Sequence, residues 1–158
     1  MAVTQDINNR PCFFNNKEPV VLGRGTLCPF NSQNTAFTQE AFPLLYLPAT
    51  VTFRFTDILR GYVAQPILWT KGLHLGFTNA TVVQERNPHD FLKDFESEIP
   101  CYLYSERIIN IVTRAIHSDK TMEDNLYNAY FALIHAGIVH QDEAKILEAW
   151  LKTINSTY

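Results

Sequence analysis

Near residue 90 the spacing of apolar residues changes character, and that change decides what the chain can fold into. From Asp90 onward apolar residues recur at helical intervals. Phe91, Leu92, Phe95 and Ile99 make one stripe before Pro100, and Tyr104 to Ile116 make a second. Two further helices are predicted over about Met122 to Gly137 and about Asp142 to Ile154, with Gly137 standing where a helix C-terminus would put it. The charged residues of the last one (Asp142, Glu143, Lys145, Glu148, Lys152) read as a solvated face.

Before residue 90 the pattern is mixed. Val20 to Leu22 reads as a short strand ending at Gly23, and Gly23 to Thr35 is so dense in Gly, Pro, Asn and Ser that it should be irregular backbone. An irregular segment of that length inside a compact domain is often functional. Thr38 opens a short helix that Pro43 interrupts. The alternation Val51-Thr52-Phe53-Arg54-Phe55 predicts a half-buried strand. Thr56 then caps a helix whose buried face carries Ile58, Leu59, Tyr62, Val63 and Trp69, and Pro66 should kink it or end its first segment. Leu73 to Val83 reads as extended. The fold class is therefore α/β in the broad sense (α+β): a polar lead-in over 1–18, a mixed portion over 19–104, and a helical extension over 105–158 packed on it.

Bulk properties narrow the partners. At 46% hydrophobic and 18% charged, the chain can bury a core, and its net charge of −3 gives no basic footprint for nucleic acid. No uncharged apolar run is long enough to span a membrane, and the N-terminus shows no signal peptide. The three cysteines, Cys12, Cys28 and Cys101, match neither a zinc pattern nor a disulfide framework and read as free thiols. Two N-glycosylation sequons occur, at Asn79 and Asn155; they matter only in a secretory lumen.

Three constellations can carry chemistry, and each has a plain structural alternative. In the first, Asp57 at a strand-to-helix junction can take a proton from an acceptor hydroxyl, while Arg54 or Arg60 holds a phosphate or orients Asp57. The alternative is a helix N-terminus with ion-paired arginines. In the second, Arg86, His89 and their carboxylate neighbours can hold a divalent metal and a diphosphate, or form a solvated loop and helix cap. In the third, Asn31, Gln33 and Asn34 offer amides suited to sugar hydroxyls, or stabilise a turn. His74, His117, His135 and His140 have no paired ligand spacing and read as surface or packed residues.

Four motifs occur in order: GTLCPFNSQNTAF (Gly25 to Phe37), LYLP (Leu45 to Pro48), FRFTDILRGYVAQ (Phe53 to Gln65) and ERNPHDFLKDFESE (Glu85 to Glu98). As a series they resemble the STELLO-type glycosyltransferases and, more distantly, the reversibly glycosylated polypeptides. The resemblance covers about residues 19 to 104. It implies the acceptor-side half of a GT-A-like fold, transferring a sugar from a nucleotide-sugar donor to a glycan or polysaccharide acceptor. It further implies Asp57 as catalytic base or acceptor ligand assisted by Arg60, Arg54 and Arg86 toward the donor diphosphate, and His89 in the shell of a divalent metal, manganese or magnesium. Asn31, Gln33 and Asn34 would then lie against sugar or acceptor. The D-x-D motif that ends the nucleotide-binding half of such folds is absent from this sequence. The expectation is thus of a chain completed by a nucleotide-binding half elsewhere, or by a protein partner. The alternative is a non-catalytic module that binds partners or supports polysaccharide-synthase assembly. A longer STELLO-like parent would reside in the Golgi membrane.

Overall fold

A computed structural model describes residues 3–5, 11–13, 18–82 and 89–157. Its elements run β1 (Val3–Gln5), β2 (Pro11–Phe13), β3 (Val20–Val21), a 3₁₀ helix (Gln39–Leu45), α1 (Phe53–Thr70), β4 (Gly76–Phe77), α2 (Phe91–Ala115), α3 (Met122–His135) and α4 (Glu143–Thr157). Two small antiparallel sheets, β1 with β2 and β3 with β4, accompany a helical body, an α+β architecture dominated by helix.

Helix α1 lies at the centre because its apolar residues repeat every fourth position. Phe55, Leu59, Val63 and Ile67 are all essentially inaccessible to solvent. They share one core with Ile108 and Val112 of α2 and with Leu126, Ala129, Tyr130 and Leu133 of α3. The ends of the helices are set by local chemistry. The Asp90 carboxylate accepts from the Leu92 and Lys93 amides at the start of α2, and Thr121 Oγ1 accepts from the Asp124 amide at the start of α3. Beyond α3, Gly137 takes the left-handed conformation (φ 69°), and Ile138 N–H reaches back to Leu133 O at 3.0 Å. Buried Asn125 fixes the α2–α3 turn by bonding both N–H and C=O of His117 at 2.8 Å.

Several expectations are corrected. Val51 to Phe55 is not a strand: α1 begins at Phe53, with Thr52 rather than Thr56 in the capping position. The alternation misleads because helical geometry buries Phe55 and leaves Phe53 88% exposed. Neither Pro66 nor Pro100 ends its helix. Each proline removes one backbone bond, but buried apolar residues hold the helices in place: Val63 and Ile67 on either side of Pro66, and Cys101 and Ile108 beyond Pro100. Of Leu73 to Val82, only Gly76–Phe77 forms a strand, paired with Val20–Val21; Val83 lies outside the described residues. The cysteine reading is refined. Cys101 is buried, and burial pushes its thiol up to about 11, while Cys28 is only half-buried.

Glu143 is the largest correction, for it is wholly buried rather than solvated. Its carboxylate accepts from the Ala49 amide (2.9 Å), the Thr50 amide (2.8 Å), the Thr50 hydroxyl (2.6 Å) and the Tyr46 hydroxyl. Burial first, then the hydrogen bond to Glu143 and its charge, push the Tyr46 phenol far above its ordinary range. Tyr46 also packs edge-on against Tyr130, and Trp150 Nε1 donates to Pro43 O at 3.0 Å. The LYLP motif and the two residues after it therefore place a tyrosine and two loop amides on a carboxylate nearly a hundred residues away. Glu143→Ala would leave the buried Tyr46 hydroxyl and the part-buried Ala49 and Thr50 donors without their acceptor, and should cost about 3 kcal/mol in urea unfolding. Glu148→Ala, exposed on the same helix, should stay within about 0.5 kcal/mol. Equal effects of the two would contradict this assignment.

Candidate functional site

One face of α1 is built to hold a loop. Arg54, Asp57, Gly61 and Gln65 recur at intervals of three and four, so they share a stripe along the helix. Gln65, buried in an otherwise apolar stretch, grips the loop backbone from both sides: its Oε1 accepts from Cys28 N–H (3.1 Å) and its Nε2 donates to Cys28 O (2.6 Å). Gly61 lets the chain come close, since a Cβ there would sit 3.1 Å from Pro29 Cα and 3.2 Å from Phe30 N. One turn nearer the N-terminus, Asp57 accepts from Ser32 Oγ (2.7 Å) and Ser32 N–H (3.3 Å).

Arg60 completes the clamp from the interior. Only 3% exposed, it donates to Phe30 O and to Ser32 Oγ, each at 3.1 Å. Its guanidinium lies 4.6 Å from the Phe30 ring centroid and 5.7 Å from that of Phe37. Burial lowers its pKa, and the nearby Asp57 charge partly offsets that.

The clamped loop forms one wall of a groove of about 930 Å³ whose other wall is the β4 segment, Leu73 to Thr81. Asn31, Ser32, Gln33, Asn34 and Thr35 face Thr78, Asn79 and Thr81 across it, with Phe30, Phe37 and Phe77 among the apolar lining. Asn31 Oδ1 accepts from Gln33 N–H at 3.1 Å, shaping the turn. Asn34 adopts a left-handed backbone (φ 50°), which asparagine tolerates well, and its Oδ1 accepts from Thr81 Oγ1 at 2.9 Å, linking the walls. His74 Nδ1 lies 3.1 Å from Leu22 O and ties the second wall to the strand region.

A second cluster sits where α1 begins. Arg54 Nη2 and His89 Nδ1 converge on Asp94 Oδ2 of α2, at 2.5 and 2.9 Å. Arg54 and Asp57 are one turn apart, so this cluster and the groove loop meet the same end of α1. Arg86 lies outside the described residues. The expected residues thus fall into two sets: Asn31, Gln33, Asn34, Asp57 and Arg60 around the loop, and Arg54 with His89 around Asp94. Ser32, Gln65 and Asp94 were not singled out as site residues. Gln65 could have been found, as it continues the polar stripe of Arg54, Asp57 and Gly61. Asp94 carried no such signal.

The metal expectation rests on His89, whose loop neighbours Glu85 and Arg86 lie outside the described residues. Among the described residues no group of three or more His, Cys, Asp or Glu side chains could hold an ion. The Nδ1 edge of His89 is taken up by Asp94, and the Arg54 guanidinium lies beside it at 3.0 Å.

Comparison with known proteins brings this architecture a family. The STELLO glycosyltransferase family matches residues 54–157, from the start of α1 to the end of α4. The match therefore runs through the helices beyond Tyr104, where the motif resemblance stops. The Arabidopsis thaliana protein named "Probable glycosyltransferase STELLO1" is 27% identical over 135 residues, covering 85% of this chain and 17% of that protein. "Probable glycosyltransferase STELLO2" of the same plant is 25% identical over the same length, with the same coverage. The chain thus spans 17% of the length of these curated relatives.

The Arg54–Asp94 pair gives a titration test. Hydrogen bonding from Arg54 first, and His89 after it, holds the Asp94 carboxyl below its ordinary range. A carboxyl lowered in the folded state contributes stability above its unfolded pKa and loses it as pH falls through the folded value. Arg54→Ala should therefore move the Asp94 midpoint upward in a carboxyl-detected NMR titration. An unmoved midpoint would show that the pair does not persist in solution.

Proposed function

Because the chain belongs to the STELLO glycosyltransferase family, we propose that its groove is the acceptor side of a glycosyl transfer, receiving the sugar hydroxyls of a glycan. The observation that carries this reading is the groove itself. Amide and hydroxyl side chains line two walls, aromatic rings lie among them, and the loop bearing Asn31, Gln33 and Asn34 is bonded to α1 by Gln65, Arg60 and Asp57. A wall held in advance loses little conformational freedom on binding, so more of the contact energy appears as affinity.

In this reading Asp57 is the base. The acceptor hydroxyl gives Asp57 its proton, and its oxygen bonds to the anomeric carbon. The bond from that carbon to the nucleoside diphosphate breaks, and the electron pair leaves with the diphosphate. Both Asp57 oxygens accept from Ser32, which fixes the carboxylate's orientation while leaving lone pairs for an acceptor hydroxyl. Arg60 is a positioning residue: it is buried and acts on Ser32 and the Phe30 carbonyl rather than on substrate. The nucleotide sugar, and any manganese or magnesium that accompanies it, binds outside the described residues, where Arg86 also lies. Arg54 and His89 serve that region by fixing the start of α2 through Asp94.

Calorimetric titration with a panel of neutral oligosaccharides tests this directly. Binding should weaken by roughly tenfold in Asn31→Ala or Gln33→Ala, the loss of about one well-made hydrogen bond. Asp57→Asn should bind almost normally, since its amide oxygen can still accept from Ser32. Absence of saccharide binding, or binding indifferent to Asn31 and Gln33, would overturn the assignment.

A further inference from the structure

The first half of α2 turns its apolar side away from the core. Phe91 (79% exposed), Leu92 (82%), Phe95 (56%), Ile99 (38%), Tyr102 (70%) and Leu103 (67%) form one continuous stripe. The Phe95 and Tyr102 rings, two turns apart, lie 5.9 Å centroid to centroid along it. The opposite side of the helix supplies Cys101, Ile108 and Val112 to the core. Large apolar side chains this exposed and contiguous mark an interaction surface.

The charges around the stripe say what covers it. At 3.6 residues per turn, Glu98 falls on one edge, Glu96 on the other, and Glu106 in line with the stripe at its C-terminal end. Of the two cations on this part of α2, Lys93 pairs with Asp90 at 3.7 Å, and Arg107 reaches to Ala136 O at the end of α3 at 2.9 Å. A symmetric second copy would bring acidic edges against acidic edges, and an anionic membrane would be repelled by them. We infer that the outer face of α2 docks a partner helix that is apolar on one side and edged with lysine or arginine. This surface shares no residue with the groove and does not depend on its reading.

Two synthetic amphipathic peptides with the same leucine face, one edged with lysine and one with glutamate, test it by fluorescence anisotropy on the intact chain. The lysine-edged peptide should bind at least about tenfold tighter, with an advantage that shrinks as salt rises. Leu92→Ser with Phe95→Ser should abolish binding, and an unchanged circular dichroism spectrum and melting temperature would show the fold intact. Glu96→Lys with Glu98→Lys should reverse the preference, which keeps the test sharp if the first variant unfolds. Equal binding of both peptides would overturn the inference. So would concentration-dependent dimerisation that Phe95→Ser abolishes, or sedimentation with phosphatidylserine vesicles.

Discussion

A buried guanidinium must find its hydrogen bonds inside the protein, and the requirement of Arg60 organises much of this structure. Its partners are not on its own helix. They are the Phe30 carbonyl and the Ser32 hydroxyl, on a loop some thirty residues upstream. Pairing the two terminal nitrogens of Arg60, whose buried Nε finds no partner among the described residues, draws the loop onto α1, and the Gly61 and Gln65 positions of the same helix let it approach and grip its backbone. Ser32 then joins Arg60 to Asp57, so the most polar end of α1 and one groove wall form a single hydrogen-bonded unit.

On the far side of the core a second buried charge has a matching role. Among the described residues Glu143 has no cation in contact, and it is stabilised by amides and hydroxyls of the segment that leads into α1. Burial raises the Tyr130 pKa most, the neighbouring Tyr46 and Glu143 raise it further, and Arg60 lowers it. The entry to α1 and the loop across it are thus each fixed by one buried side chain, Glu143 and Arg60. This is how a small helical body holds an irregular segment in one conformation without long sheets.

Much of this was legible in sequence, and the illegible parts share a cause. Helices α3 and α4 and the stop at Gly137 follow from local periodicity and backbone preference, and the structure has them where those rules put them. The dense Gly, Pro, Asn and Ser run is irregular backbone, and Asn31, Gln33 and Asn34 do line the groove. What local pattern could not reveal was pairing at a distance. Glu143 looked solvated because its partners lie in the LYLP segment. Val51 to Phe55 looked like a strand because alternation carries no record of whether a neighbouring strand exists. The stripe of Phe91, Leu92, Phe95 and Ile99 was visible, but period alone does not say whether an apolar face turns inward or outward.

The most direct measurement is amide chemical-shift mapping of the ¹⁵N-labelled chain titrated with a neutral oligosaccharide. If the clamped loop is an acceptor wall, perturbations will concentrate on Asn31 to Thr35 and on Thr78 to Thr81, with the α2 face silent. Shifts gathered on Phe91 to Leu103, or none at saturating sugar, would contradict it.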